Sequence, residues 1–511
     1  MPREELELKL AVPPASVPAL KRSSALRGHK AETTPIVSVY FDTDKHKLAK
    51  HGLMLRVRRV GNQYVQTIKA AKSLNGFGRD EWEAEIAGKE PDLRMAAGTA
   101  LAPLLTKKLR RQLKPLFETK VMRTSYPLAN NTRALALAVD QGTIETGNSS
   151  LPLCEIELEL ERGSVADLFE VAREVSRAVP AQIVFKSKSE RGYELIDGVR
   201  DTPLKAVTAG LSAGMSTRDA FTGIGHACLK QVVGNEAAAA KGGPEGVHQM
   251  RVGLRRLRAA MSLFSDILGD AQSAAIKTEL KWLAGELGPA RELEVLISRV
   301  IAPIKGRHGF WRHMPVLSRE VAAKREAALA RVQKAVQSAR FRALTLDVAA
   351  WLEAGRWATP ADDLARDRGE LAIEVSAAEQ LARRWRTVRK KGKALARLSA
   401  GERHKLRIQT KKLRYAVEFF GALFVGKRAR KRLKRFLAAV ERLQDGLGDL
   451  NDIAVHERRI SAMGVSRRRS SVKRAFAAGL LTGREDARTE AAMALATKAA
   501  ADLLERKPFW R

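Results

Sequence analysis

Charged and apolar residues alternate along the first two hundred positions, in short runs bounded by Pro, Gly and Asn. Period-two alternation gives each face of a sheet its own residue type. It predicts strands at Glu4–Leu10, Val37–Phe41, Leu53–Val60, Gln63–Lys69, Asp80–Ala87, Thr119–Leu128, Ala134–Gly142 and Leu153–Glu161. Helical spacing interrupts them at Met95–Leu116 and at Ser164–Ala178, which Pro180 ends. Beyond about residue 205 Ala, Leu and Arg recur at helical spacing. There the pattern predicts helices at 217–233, 245–268, 271–287, 290–301, 315–338, 341–354, 369–391, 400–424, 428–447, 449–462 and 470–505. The fold class is α+β in two domains: an antiparallel β domain over 1–205, a linker at 206–216 within the Pro- and Gly-containing Asp201–Ser216, and an all-α domain over 217–511.

The helical part repeats itself. VHQMRVGLRRLR (247–258) matches RHKLRIQTKKLR (403–414) 156 positions later, pairing His248 with His404, Arg251 with Arg407, Arg255 with Lys411 and Arg258 with Arg414. Leu287–Glu292 recurs as Leu447–Asp452. Repeats of this size predict two related helical bundles about a pseudo-twofold axis rather than a solenoid.

Charge sharpens the division. The formal net charge is +35 over 511 residues. Residues 1–205 hold 33 basic and 26 acidic side chains (+7), leaving 59 and 31 (+28) for 206–511. The helical part carries a field suited to a polyanion. Cys154 and Cys228 are the only cysteines, which excludes a disulfide framework and a Cys-based zinc knuckle. The charged N-terminus lacks a signal core, and no stretch approaches the ~20 apolar residues of a membrane span. The expectation is a cytoplasmic protein.

The small surplus of the first part conceals opposed clusters. Glu5, Glu7 and Lys9 share one face of their strand, as do Arg56 and Arg58; Arg79, Glu81, Glu83 and Glu85; and Glu155, Glu157, Glu159 and Glu161. The plain alternative is the wet face of a sheet. A wet face normally mixes signs, whereas here they are sorted by strand. If the sheet curls into a barrel, the polar face becomes a tunnel whose charges need a charged occupant. A triphosphate with divalent cations fits, through Arg and Lys to phosphate oxygens and carboxylates to hard cations. No Walker-type glycine loop is present, so side chains must bind the phosphates.

These residues resemble the CYTH domains, the triphosphate tunnel metalloenzymes: Glu5-Leu6-Glu7-Leu8-Lys9 is similar to their ExExK signature, and residues 1–205 follow the family's motif order. The resemblance implies an eight-stranded antiparallel tunnel with flanking helices, using magnesium or manganese (Mg2+ or Mn2+). It implies catalytic roles for Lys9, Glu5 and Glu7, and substrate binding by Lys9, Arg56, Arg58, Lys69, Arg79, Arg123 and Lys188. It further implies metal ligation by Glu5, Glu7, Asp140, Glu155 and Glu157; Glu159 is an alternative within the same run. The implied activity is an inorganic triphosphatase, releasing diphosphate and phosphate from tripolyphosphate. Adenylate cyclase, thiamine triphosphatase and a non-catalytic polyphosphate holder are the alternatives on the same tunnel.

In the helical part, His248, Arg251, Arg255 and Arg258 fall within a stripe of about 80° beside an apolar one, and His404, Arg407, Lys411 and Arg414 repeat it. A charge run is usually a solvated face, but here the same pattern appears twice. The region resembles the CHAD domain, the conserved-histidine α-helical domain, over roughly 213–505. That implies a groove for inorganic polyphosphate lined by His248, Arg251, Arg255, Arg258, His404, Arg407, Lys411, Lys412 and Arg414, and with it an association with polyphosphate granules. Nucleic acid is disfavoured, because the chain is 5% aromatic and the two helices carry no aromatic between their bases on which a nucleobase could stack.

Overall fold

The computed structural model describes residues 3–71, 77–147, 149–199, 201–304, 314–360, 362–464 and 471–510, without the side chains of 3–5, 71, 79, 304, 314–317, 459, 461–464, 471–474, 476 and 477. Its packing defines two compact units. The first comprises Met1–Lys205, Leu229–Ala238 and Val336–Ala358, and the second Ala206–Cys228, Ala239–Ala335 and Thr359–Arg511. The packing division therefore departs from the break at 205–217 in two segments.

The first unit is built on nine strands: β1 (Arg3–Ala11), β2 (Glu32–Asp42), β3 (Leu53–Val60), β4 (Gln63–Ala71), β5 (Gly78–Ile86), β6 (Lys114–Ala129), β7 (Ala134–Thr146), β8 (Ser149–Arg162) and β9 (Gln182–Val184). All pair antiparallel in the order β5-β4-β3-β2-β6-β7-β8-β1-β9. Arg3–Leu6 of β1 also pair with Gly78–Glu81 of β5, so the ends of the eight-strand run meet over four residue pairs. The ninth strand, three residues long, lies beyond the eight expected from sequence.

Alternation decides which way the sheet faces. On β3, Leu53, Leu55 and Val57 are buried in a cluster with Phe41, Ile68, Ala96, Leu101 and Leu109, while Met54, Arg56 and Arg58 point to the opposite side. The apolar face is thus the outer one, and the segment before β6 covers it. That segment corrects the expectation of a helix over Met95–Leu116. Gly98 (φ +77°) and Pro103 break it into turns, a 3-10 turn and a short helix, Lys107–Gln112, before β6 begins at Lys114.

The helix Lys188–Asp197 starts with a capping box, Ser187 with Glu190. It lies against β6, where a Cβ on Gly192 would stand 2.2 Å from the Phe117 ring. Leu195 joins Tyr40, Phe117 and Ile144 in a core cluster. This close approach brings Lys188 into the sheet interior. The helices Val165–Ala178 and Ala339–Ala354 pack together in the same unit, with Arg173 to Asp347 at 3.0 Å.

The second unit is helical. Its two repeat helices are Pro244–Leu263 and Ala400–Phe420. Two boundaries expected from sequence vanish: Ala271–Leu296 runs through Pro289, and Lys427–Gly464 runs through Gly448. The segment expected to be one helix over 470–505 is two, Ser471–Asp486 and Thr489–Leu504. Ser216, inside the expected linker, bridges Ala372.

Candidate functional site

Inside the sheet of the first unit lies a cavity of about 210 Å³ lined by Glu7, Lys9, Arg56, Arg58, Lys69, Glu81, Glu83, Arg123, Asp140, Glu157, Glu159 and Lys188. Six are carboxylates and six are cations. The register explains their grouping. Arg123, Asp140 and Glu155 are successive partners across β6, β7 and β8, and Lys9 lies opposite Glu157 as Glu7 lies opposite Glu159. On the other wall Arg56, Thr67 and Glu83 form a row across β3, β4 and β5, with Lys69 opposite Glu81.

Asp140, Glu155 and Glu157 each bring an oxygen within 4.8 Å of one another. Lys188 stands among them, its Nζ 2.7, 2.5 and 2.7 Å from the three carboxylates. Arg123 grips both oxygens of Asp140 at 2.7 Å and also meets Glu157. Burial works against the Lys188 charge, but Glu157, Glu155 and Asp140 outweigh it and raise its pKa. Burial likewise opposes the Glu157 carboxylate, and Lys188, Lys9 and Arg123 hold it well below the usual range. Lys9, between Glu157 at 2.9 Å and Glu7, is held protonated in the same way.

Arg56 stands 3.7 Å from Glu81 and 4.0 Å from Glu83, and Lys69 is 3.1 Å from Glu81. Arg58 has no carboxylate partner among the described residues, and the Nε atoms of Arg56 and Arg58 are buried without an acceptor. Arg56 beside it, burial and Arg123 push the Arg58 pKa down to about 10. Buried donors without an acceptor are costly.

The structure thus gathers Glu7, Lys9, Arg56, Arg58, Lys69, Arg123, Asp140, Glu157 and Lys188 around one cavity. Glu155 sits behind it, fully buried, with Lys188 on one oxygen and Arg191 on the other. The side chains of Glu5 and Arg79 lie outside the described residues, although their backbones pair. Arg191 escaped the sequence reading. Its signal was its place three residues after Lys188 on one helix face. An all-oxygen donor set suits a hard divalent cation, and the cavity's Glu7, Glu157 and Glu159 meet that condition.

In the second unit the nine expected groove residues separate. His248, Arg251, Arg255, Arg407 and Lys411 form a central group. Burial and then Arg407, Arg255 and Arg251 push Lys411 down to about 7, only partly countered by Asp452. Arg407 has a buried Nε without an acceptor, and Arg255 lies 5.8 Å over the Tyr415 ring while donating to its hydroxyl. Burial and Arg291 lower the His248 pKa. His404 is exposed, its Nδ1 2.8 Å from Asn451 Oδ1. Arg414 is tied to Glu418 at 2.7 Å and lies 3.6 Å from Glu441. Arg258 and Lys412 stand apart, beside Arg384.

A curled sheet whose inner face sorts acids against bases, and a doubled basic helix in a separate helical unit, define a two-domain α+β architecture. The CYTH domain model matches residues 3–193 and the CHAD domain model residues 223–461, and the chain is a fusion of these two families. An inorganic triphosphatase of Haemophilus influenzae is 29% identical over 201 residues, 38% of this chain and 55% of that protein, so the match spans about half the length of that curated relative. Among solved structures, the CHAD domain from the plant Ricinus communis is 28% identical with a TM-score of 0.47, covering 57% of this chain and 96% of that chain. A putative adenylyl cyclase from Hippeastrum, described as having a dominant triphosphatase activity, is 19% identical with a TM-score of 0.29, covering 38% of this chain and 96% of that chain. Among the described residues no helix is long and apolar enough to cross a membrane.

Proposed function

We propose that the sheet unit is a metal-dependent inorganic triphosphatase, cleaving tripolyphosphate to diphosphate and phosphate, and that the helical unit binds inorganic polyphosphate. The observation that carries the first part is the balance of six carboxylates against six cations around one cavity, with guanidinium donors left unpaired. A balanced lining favours a load that is itself nearly neutral, as a triphosphate accompanied by divalent cations is. Arg56, Arg58, Lys69 and Arg123 bind the phosphate oxygens. Lys9 and Lys188 are held protonated and so donate hydrogen bonds rather than accept protons. A cavity carboxylate orients the attacking water as the bridging P–O bond breaks and diphosphate leaves.

Glu7, Glu157 and Glu159, with Asp140 and Glu5, would hold magnesium or manganese. A bound ion supplies neutralisation of charge on the phosphoryl oxygens. We assign Glu157 and Glu159 rather than Glu155 and Glu157 as the β8 ligand pair. Glu159 lines the cavity and Glu155 does not; engagement by cations does not separate the candidates, because both oxygens of Asp140 and of Glu157 are held as well. Among the described residues Tyr40 is the one aromatic of the lining, which leaves a nucleobase or thiamine ring little to stack on and favours inorganic triphosphate.

Phosphate release from tripolyphosphate, ATP and thiamine triphosphate, each with magnesium or manganese, tests this reading. Fastest release from tripolyphosphate is expected, with loss in Glu7→Ala and Glu159→Ala. No release from any of the three refutes it. Polyphosphate binding that survives an Arg251→Ala, Arg407→Ala double variant refutes the groove.

A further inference from the structure

The repeat implies a charge symmetry that the chain breaks. Ser216 bridges Ala372, and the Phe264 and Phe420 rings meet at 5.8 Å. Both pairs are 156 positions apart, so repeat-equivalent residues touch one another, as residues on a twofold axis must. Contacts off the axis should then come in twins. Arg256 reaches Glu418 at 2.9 Å, and the twin contact joins Lys412 to Ser262 at 3.1 Å. Arg414 also reaches Glu418, one turn along its own helix, and the twin of Arg414 is Arg258, one turn before Ser262. Glu418 and Ser262 are equivalent positions, with a carboxylate in one copy and a hydroxyl in the other.

Around Glu418, two cations share one carboxylate. Around Ser262, three cations share none. Lys412 donates to the Ser262 hydroxyl, and Arg384 donates to the Ser262 carbonyl at 2.7 Å. The Arg384 Nε is buried without an acceptor; Arg384 and Lys412 are half-buried, and the exposed Arg258 makes no ion pair among the described residues. Burial, then Arg384 and Arg258, lowers the Lys412 pKa, which places all three charges in one field. The acid acting on Arg384 is Asp266, which is exposed. Holding the half-buried Arg384 and Lys412 together without a counter-charge is costly unless an anion supplies one, and Arg258 adds to their field.

We infer that Arg258, Ser262, Arg384 and Lys412 form an anion subsite for a single phosphate group, open in the first copy of the repeat and closed by Glu418 in the second. The subsite rests on the reading of the helical unit as a polyphosphate binder. It gives that unit a polarity, because Arg258 continues the stripe of Arg251 and Arg255 by one turn toward Ser262 only.

The test exchanges the twins in the full-length chain. Ser262→Glu installs the carboxylate of the second copy, and Glu418→Ser removes it. Affinity for a long polyphosphate chain is measured by calorimetry over a range of salt concentrations. Ser262→Glu is expected to weaken binding about tenfold and to flatten the salt dependence by about one charge. Glu418→Ser is expected to strengthen binding by a similar factor. Because Glu418→Ser leaves the buried Arg256 without its carboxylate, Lys412→Gln serves as a second loss-of-site variant, and circular dichroism checks each fold.

Orthophosphate that binds the wild-type protein but not Ser262→Glu identifies free phosphate as an occupant. A Ser262→Glu effect on polyphosphate without orthophosphate binding identifies a phosphate within a chain. Wild-type affinity and salt dependence in both Ser262→Glu and Lys412→Gln overturn the subsite alone. Absence of polyphosphate binding by the wild-type protein overturns the groove and the subsite together.

Discussion

Lys411 gives the groove a pH dependence that can be worked out from its surroundings. Burial, Arg407, Arg255 and Arg251 lower its pKa from 10.5 to about 7, against the pull of Asp452. The folded pKa lies below the unfolded one, so the charged form is the penalised one. Below pH 7 the ammonium is charged in both states and the penalty is complete. Between about pH 7 and 10.5 the unfolded chain holds the proton that the folded chain has lost, so stability rises with pH. The full shift corresponds to about 5 kcal/mol, which solvent screening at this half-buried side chain reduces to about 2 kcal/mol.

A polyphosphate bound there, as proposed, would reverse the field and restore the proton. Binding should therefore take up about half a proton at pH 7 and about 0.9 at pH 8, and weaken by up to about tenfold per pH unit above 7. Calorimetry in buffers of different ionisation enthalpy measures the uptake. A long chain keeps the titration of its own ends negligible. The same anion would also raise His248, which burial and Arg291 hold below its ordinary 6.5, so the Lys411 share is read at pH 8 and from its loss in the variant. Lys411→Met should abolish the uptake at pH 8 and raise the melting temperature. Unchanged uptake in Lys411→Met, or none at pH 8 in the wild-type protein, refutes the reasoning.

Three further outcomes follow from single side chains. Arg58→Ala should raise KM for tripolyphosphate at least tenfold while leaving stability equal or higher, because it removes an unpaired guanidinium crowded by Arg56; steady-state kinetics with thermal melts checks both. Arg191→Ala strips a buried carboxylate of one partner and should cost about 3 kcal/mol in denaturant unfolding, with Arg191→Lys recovering part of it. Gly192→Ala should cost about 1–3 kcal/mol by driving a methyl into the Phe117 ring, and pairing it with Phe117→Leu should relieve part of that loss.

The strands were legible because alternation records two faces directly; Leu53–Val60 was located to the residue. The misreadings have local causes. Pro289 removes one hydrogen bond, yet Leu287, Ala290 and Leu293 are buried on both sides of it, and packing carries the helix across. Gly448 is bridged in the same way, between the buried Leu447 and Leu450. The site shows where sequence reading stops. Glu155 and Glu157 share a face by period two, so alternation cannot separate them. Lys188 contacts both, and what distinguishes Glu155 is Arg191, which reaches back from a helix more than thirty residues on to its second oxygen. Net charge misleads in the same way: the +7 of residues 1–205 contains a balanced cavity, which a sum cannot show.

Truncation is the obvious way to ask whether the helical unit serves the sheet, and the packing argues against it. The first unit includes Val336–Ala358, contributed from far along the chain. Its helix Ala339–Ala354 packs on Val165–Ala178, through Arg173 to Asp347 at 3.0 Å, and Gln182 of β9 reaches Thr345 at 3.3 Å. Phe169, Val171 and Ala172 are buried on Val165–Ala178, as Leu346, Val348 and Trp351 are on Ala339–Ala354. A chain ending at residue 205 loses one of these two helices and exposes apolar surface worth several kcal/mol at ~25 cal/mol per Å². Residues 1–205 alone should therefore melt well below the full chain and associate through the uncovered surface. Differential scanning calorimetry with light scattering measures both. An isolated 1–205 that stays monomeric and melts with the full chain would show that the helix from 339–354 adds nothing to the sheet's stability. The influence of the proposed groove on the proposed hydrolysis is better measured in Arg251→Ala, Arg407→Ala, which should weaken anion binding while leaving the first unit whole.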